Sequence, residues 1–388
     1  MTEFDIITDR SGTYSYKWDV KAGELPMWVA DMDFETAPAV KRAIVERARH
    51  GIFGYSATPC EFFEAVSGYF GRRHGFKIPT EWMVYSNGIV AAIGSAVRRL
   101  THPDENVLIQ APVYNIFYNS IVNNGRRVLS SDLVYDGNGY SVDFADLEAK
   151  LALPQTSLMI LCNPHNPVGR LWSREELMKI GALCKKHGVT VLSDEIHCDI
   201  VRRGREYVPF FSLEEYRDIS VCCISASKTF NLAGLQSAVA VIPNPHLRHR
   251  IWRGINTEEL GEPNAFAMTA GIAAFTECDG WVDALVDYLF ENRALAQDYI
   301  KEKIPSLRPI EGEATYLLWI DVSAVSEDSV AFTERLRELT GLYLSEGREY
   351  GEAGRSFVRM NLATQRERVL DGLERLRRGV EIILSEGL

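Results

Sequence analysis

From Glu81 onward, short apolar runs alternate with segments of helical periodicity. Val84–Ser86, Asn106–Gln110, Leu158–Cys162, Val189–Leu192, Ser220–Ile224 and Val239–Ile242 read as strands. After the first of them, Ile89, Ile93, Ala96, Val97 and Leu100 fall on one face of a helix. Ahead of Val189 the punctuation is fuller. Ser173 and Glu176 form a capping box, Leu177, Ile180 and Cys184 supply the apolar stripe, and Gly188 is the expected stop. Apolar strands joined by amphipathic helices imply βαβ units, hence a mainly parallel sheet covered on both faces. The expected fold class is α/β, with a three-layer αβα large domain. In such sheets ligands sit beyond the carboxyl ends of the strands.

Near Gly280 the pattern changes. Trp281–Lys303 reads as a long helix, Thr315–Asp321 and Ser356–Asn361 as strands, and Arg366–Leu384 as a closing helix. This predicts a smaller α+β domain, completed by the N-terminal segment. The expected division is 1–45 for that segment, 46–280 for the large domain and 281–388 for the small one.

The net charge of −11 argues against nucleic acid as the main partner, because phosphate binding needs a basic surface. Arg202-Arg203-Gly204-Arg205 reads as a solvated turn. No apolar run approaches the roughly 18 residues of a membrane span, and Met1–Asp5 lacks the pattern of a signal peptide. Seven cysteines without a C-x-x-C pair suggest reduced thiols in a cytoplasmic protein. Cys162, Cys222 and Cys223 read as small buried hydrophobes.

Polar residues gather at four strand ends: Asn87-Gly88, Asn163–Gly169, Asp194–His197 and Ser225–Lys228. Lys228, in Ser225-Ala226-Ser227-Lys228-Thr229-Phe230-Asn231, has an amine able to form a Schiff base with a carbonyl cofactor. Ser225 and Ser227 could hydrogen-bond an anionic group on that cofactor. A lysine beside a serine is more often an ordinary surface residue, so the other strand ends matter. Asp194 reads as a helix cap or turn residue, or as a carboxylate for the protonated ring nitrogen of pyridoxal phosphate. In Asn163-Pro164-His165-Asn166-Pro167-Val168-Gly169, Asn166 could donate to the phenolic oxygen of the same ring, or the string is a plain loop. Gly88 opens a helix whose free amides favour a phosphate. Tyr114 could stack on a flat ring or fill the core.

Three of these strings resemble the fold-type I pyridoxal-phosphate enzymes, the aspartate aminotransferase superfamily: Asn163–Gly169, Asp194-Glu195-Ile196-His197 and Ser225–Gly234. Leu25–Phe34, Ser227–Leu235, Ala314–Asp321 and Val358-Arg359-Met360-Asn361 resemble the MalY/PatB group of cystathionine β-lyases more closely. The resemblance runs through nearly the whole chain in the family's order. It implies pyridoxal 5'-phosphate as cofactor and Lys228 as the residue that binds it and later moves protons. It places Asp194 at the ring nitrogen, Tyr114 on the ring and Asn166 at the phenolic oxygen. Gly88, Ile89, Val90, Ser225 and Ser227 would surround the phosphate. Tyr55, in Phe53-Gly54-Tyr55, would reach the phosphate of a neighbouring subunit's cofactor, which implies a homodimer with shared sites. Arg359 would hold the substrate α-carboxylate, and the backbone near Ala30 would close over it.

Two features depart from many aminotransferases of the superfamily. His197 stands where they carry Tyr, and Asn231–Gln236 lacks their phosphate-binding Arg. Both agree with the lyase branch. A structural or metal-binding His197 is the other reading, but His187 and His197 lack H-E-x-x-H spacing and no metal is expected. The expected reaction is α,β-elimination of cystathionine- or cysteine-type amino acids to thiol, pyruvate and ammonia. Lysine, aspartate and arginine serve transamination equally well, so a class I/II aminotransferase is the enzymatic alternative. A pyridoxal-phosphate-binding partner of a transcriptional regulator is the alternative from another class.

Overall fold

Most strands of the large sheet are buried on both faces, and successive side chains point alternately into two layers. In the computed structural model, which describes residues 2–386, the seven strands of the large sheet are β1 (Met83–Ser86), β2 (Asn106–Ile109), β3 (Arg127–Ser130), β4 (Thr156–Cys162), β5 (Thr190–Asp194), β6 (Ser220–Ile224) and β7 (Ala238–Val241). Met159, Leu161, Val191, Cys222 and Ile224 face one hydrophobic layer, while Leu158, Ile160, Leu192, Val221 and Cys223 face the other. Helices Cys60–His74, Arg174–Lys186 and Ala267–Glu277 cover the first face; Ile89–Leu100 and Pro245–Thr257 cover the second. This is the three-layer αβα arrangement expected of apolar βαβ units.

The strand order is β1-β7-β6-β5-β4-β2-β3, and only β7 runs antiparallel to its neighbours. Edge strand β3 is absent from the sequence reading. Its burial, from exposed Arg127 to half-buried Ser130, gives no apolar run to recognise. The capping box at Ser173 forms as read: its hydroxyl accepts the Glu176 amide at 3.2 Å, and the Glu176 carboxylate accepts the Ser173 amide at 2.8 Å. Cys162, Cys222 and Cys223 are buried free thiols. Among the described residues no helix is long and apolar enough to cross a membrane.

The smaller β-rich part has four antiparallel strands: β8 (Arg308–Pro309), β9 (Leu317–Asp321), β10 (Ser345–Glu346) and β11 (Phe357–Asn361), in the order β8-β9-β11-β10. Leu318, Ile320, Val358 and Met360 pack against helices Asp279–Lys303, Ser329–Thr340 and Arg366–Glu386. Trp319 and Phe357, on the opposite face, join the large core. Strand alternation therefore turns Arg359 and Asn361 toward the large layer as well. Leu25–Pro26 pairs in parallel with Leu342–Tyr343, joining the N-terminal segment to this part. Helix Pro38–His50 crosses the expected edge at residue 45; its Val40 packs into the large core.

A buried ion cluster fixes the N-terminal segment. The Asp33 carboxylate accepts Lys17 Nζ at 2.8 Å, Arg10 Nη1 at 2.8 Å and Trp18 Nε1 at 2.8 Å. Lys17 and Asp33 are both buried. Burial alone would push the Asp33 carboxyl up, but the Lys17 charge and the donated hydrogen bonds hold it down to about 2. A carboxyl held below its unfolded value stabilises the fold above about pH 4, and that contribution is lost as pH falls through about 2. Asp33→Asn leaves the buried Lys17 ammonium with only the Asp31 carboxylate, 3.7 Å away, as counter-charge, so it should destabilise by about 3 kcal/mol at pH 7. Urea melts at stepped pH should show the gap between wild type and variant narrowing below pH 4. A pH-independent gap would refute this account.

Candidate active site

The carboxyl ends of β1, β4, β5 and β6 open onto a cavity of about 290 Å³. Its wall contains Ala30, Gly88, Ile89, Val90, Tyr114, Asn166, Asp194, His197, Ser227 and Lys228. The four polar strand exits thus converge. Three expected residues stand elsewhere. Ser225 braces Ser227: its hydroxyl donates to the Ser237 carbonyl at 2.6 Å and accepts the Ser227 amide at 3.0 Å. Arg359 lies just behind Asn166, whose Oδ1 accepts its Nη1 at 3.2 Å. Tyr55 is fully exposed and borders a different cavity, with Trp252 and Glu262.

Each wall residue has a local cause. Gly88 is the cap of helix Ile89–Leu100 with φ of +99°, a conformation that strains any other L-residue. The first amides of that helix have no partner within it and point along its axis, and Ile89 and Val90 line the cavity, so this helix end faces it. Asp194 is the last residue of β5, and the Ile196 amide donates to its carboxylate at 3.2 Å. Both Asn–Pro bonds of the Asn163–Gly169 loop are cis. Lys228 sits in a turn closed by Phe230 N to Ala226 O at 2.9 Å and Leu232 N to Ser227 O at 3.0 Å.

The electrostatics are those of a charged site removed from water. Burial pushes the Asp194 carboxyl up to about 6, against the weaker pull of the Ile196 amide and Lys228. The Lys228 amine comes down to about 8 through burial and the nearby Arg359 charge. It donates to the Ala30 carbonyl at 2.6 Å, which also accepts the Tyr316 hydroxyl at 2.9 Å. Burial, with Lys228 and Arg359, holds His197 well below the ordinary imidazole value, so the ring is neutral. Its Nδ1 is buried without a partner. Arg359 is buried, donates to the Trp28 carbonyl at 2.8 Å, lies over the Tyr350 ring at 4.9 Å, and keeps an unpartnered Nε.

Several residues on or near the wall were quoted in the sequence without a role, and Ser237 was not quoted at all. Asn87, Ile196, Gln236 and Ser237 line the cavity, and Tyr316 shares the Ala30 carbonyl with Lys228. Gln236 lies in the stretch that lacks the expected Arg, and Lys228 is the only cation lining the cavity among the described residues. Asn231, at φ of +55°, pins the N-terminal segment by accepting the Met32 amide and donating to the Met32 and Phe34 carbonyls. Its place after a lysine turn was the available signal.

These residues fit pyridoxal phosphate. A buried carboxylate lacks a cationic partner, an amine stands on the same wall, a phenol side chain lines the same cavity, and a helix N-terminus and a serine border it. The comparisons agree. The model for "Aminotransferase class I and II" matches residues 25–376. Cystathionine β-lyase PatB of Bacillus subtilis is 42% identical over 96% of this chain and 98% of its own. Protein MalY of Escherichia coli is 34% identical over 96% and 97%. The crystal structure of cystalysin from Treponema denticola, which contains a pyridoxal 5'-phosphate cofactor, superposes with a TM-score of 0.94 at 30% identity, over 98% of this chain and 99% of that one. The chain belongs to the class I and II aminotransferase family of fold-type I pyridoxal-phosphate enzymes, in the group that contains PatB and MalY.

Proposed function

We propose that this protein is a pyridoxal-phosphate-dependent carbon–sulfur β-lyase that cleaves L-cystathionine and related cysteine-type amino acids to thiol, pyruvate and ammonia. The observation that carries the reading is the Lys228 amine, brought down to about 8 on a wall that it shares with Asp194. An amine with that value supplies both a base and its conjugate acid near neutral pH. The names of PatB and of the Corynebacterium glutamicum relative, each cystathionine β-lyase, support the lyase side of the family.

Pyridoxal phosphate, when bound, supplies the carbonyl that takes the substrate amine and the ring that stabilises negative charge at Cα. Asp194 would hold the ring nitrogen, Tyr114 the ring face and Asn166 the phenolic oxygen. The amides of Ile89 and Val90, with Ser227, would hold the phosphate. Arg359 offers the substrate carboxylate a planar donor pair, aligned by Asn166 and Trp28. Lys228 then removes the Cα proton as a free amine. As the Cβ–S bond breaks, its ammonium returns that proton to the departing sulfur. The three-carbon product leaves as an enamine acid, which water converts to pyruvate and ammonia. His197, being neutral and buried, adds no third cation beside Lys228 and Arg359.

The same reading includes a homodimer. Ile52, Phe53 and Tyr55 are exposed on one loop, and Tyr55 does not line its own chain's cavity. A second subunit would cover that apolar loop and receive Tyr55 at its phosphate end.

Incubated with L-cystathionine and no keto acid, the holoenzyme should release pyruvate and thiol over many turnovers, and Lys228→Ala should slow this by at least about 10²- to 10⁴-fold. One stoichiometric half-reaction, sustained only by added keto acid, would establish transamination instead. For the dimer, Lys228→Ala and Tyr55→Phe protomers are mixed in equal amounts. Half the dimers become mixed and each regains one intact site, so activity should return to about a quarter of wild type. No recovery after proven subunit exchange would exclude shared sites.

A further inference from the structure

A second buried polar cluster stands outside the cavity wall, next to Lys228. The Asp199 carboxylate accepts the Thr229 hydroxyl at 2.8 Å, and its other oxygen lies 2.9 Å from His74 Nε2. Arg73 Nε approaches the same carboxylate at 3.9 Å. Asp199 and Thr229 are both buried. Burial would raise the Asp199 carboxyl, but His74, Arg73 and Thr229 more than offset it, and it ends below its ordinary value. Asp199 is therefore a carboxylate at neutral pH.

With Cys198, the same side chains have the composition of a metal site: the ligand atoms of His74, Cys198 and Asp199 lie within 4.8 Å of one another. Two facts close that option. Both Asp199 oxygens already have partners, and the Arg73 guanidinium adds positive charge where a cation would stand. What remains is a charge-assisted hydrogen-bond relay from His74 to Thr229.

The relay's place in the chain gives it meaning. Asp199 lies five residues beyond Asp194, in a turn fixed by Cys198 N to Glu195 O at 3.1 Å and Ile200 N to His197 O at 3.0 Å. One rigid turn thus puts Asp194 and His197 in the cavity wall and Asp199 against the neighbour of Lys228. The lysine turn is also tied at Ser225 and at Asn231, but those bonds run to Ser237 and to the N-terminal segment. The Thr229–Asp199 bond runs to the turn that begins at Asp194.

We propose that Asp199, braced by His74, is a positioning residue: through Thr229 it sets where the Lys228 amine stands relative to Asp194. This rests on Lys228 being the residue that carries pyridoxal phosphate. The relay makes no contact with the cavity, so it acts on rate and on cofactor retention and leaves substrate affinity alone.

Thr229→Val keeps the side-chain shape and removes the donor, while Thr229→Ser keeps the donor. Each holoenzyme is measured for kcat and KM on L-cystathionine, for the absorption maximum and retention of bound cofactor on dialysis, and for Tm. Thr229→Val should lower kcat by about 10- to 100-fold, leave KM unchanged, shift the absorption band and lose cofactor faster. Thr229→Ser should restore all four. Wild-type kcat and retention in Thr229→Val would overturn the proposal, as would Thr229→Ser as impaired as Thr229→Val. If Thr229→Val does not fold, Asp199→Asn replaces it and the same two outcomes decide. Lys228→Ala separates the two readings. If it turns over normally, the lysine assignment falls. If it is inactive while Thr229→Val matches wild type, only the relay falls.

Discussion

A strand buried on both faces can present polar chemistry only where it ends. β4, β5 and β6 carry apolar side chains into both layers, so their interiors offer no place for a charge. Because β1, β4, β5 and β6 run the same way, their exits share one edge of the sheet. Gly88, Asn166, Asp194 and Lys228 are each within a few residues of such an exit. The cavity is therefore a consequence of parallel pairing before it is a consequence of any side chain.

The charges in that cavity are unbalanced in a specific way. Asp194 has one amide donor and no cation in hydrogen-bonding range, which is why burial carries its carboxyl up to about 6. Lys228 is pushed the other way, toward the neutral amine. A ligand with a cationic ring and an electrophilic carbon relieves both penalties at once. It would supply the opposite charge that keeps Asp194 ionised, and it would use the amine in the state that burial favours. The neutral His197 fits the same account, since a third charge there would face Lys228 and Arg359.

How much of this was legible in the sequence depends on range. Lys228, Asp194, Asn166 and Gly88 were readable because each follows an apolar run within a few residues. Arg359 and Ala30 have no such local mark. They entered through resemblance, and the structure brings them to Lys228 through β11 and the N-terminal segment. Tyr316 was quoted only as part of a motif, because its bond to Ala30 spans 286 positions. Asp199 carries no local mark in the sequence. Its partner His74 lies 125 positions away at the end of a helix that no motif marks. Strand β3 was invisible for the opposite reason: an edge strand needs no continuous apolar run.

The N-terminal segment explains why a costly buried ion pair is retained. Trp28 to Phe34 offers the site backbone carbonyls and little else. Trp28 accepts from Arg359 and Ser345, Val29 and Asp31 accept from Asn361, Ala30 accepts from Lys228 and Tyr316, and Met32 and Phe34 accept from Asn231. Every one of those donors is a side chain from elsewhere in the fold. A carbonyl ladder of this kind works only if the segment is held in one register, because a shift of one residue turns the carbonyls away. Neutral packing resists such a slip weakly. The Lys17–Asp33 pair resists it strongly, since moving it would strand two buried charges. The pair therefore acts less as a source of net stability than as the peg that keeps the Ala30 carbonyl facing Lys228 and the Trp28 carbonyl facing Arg359.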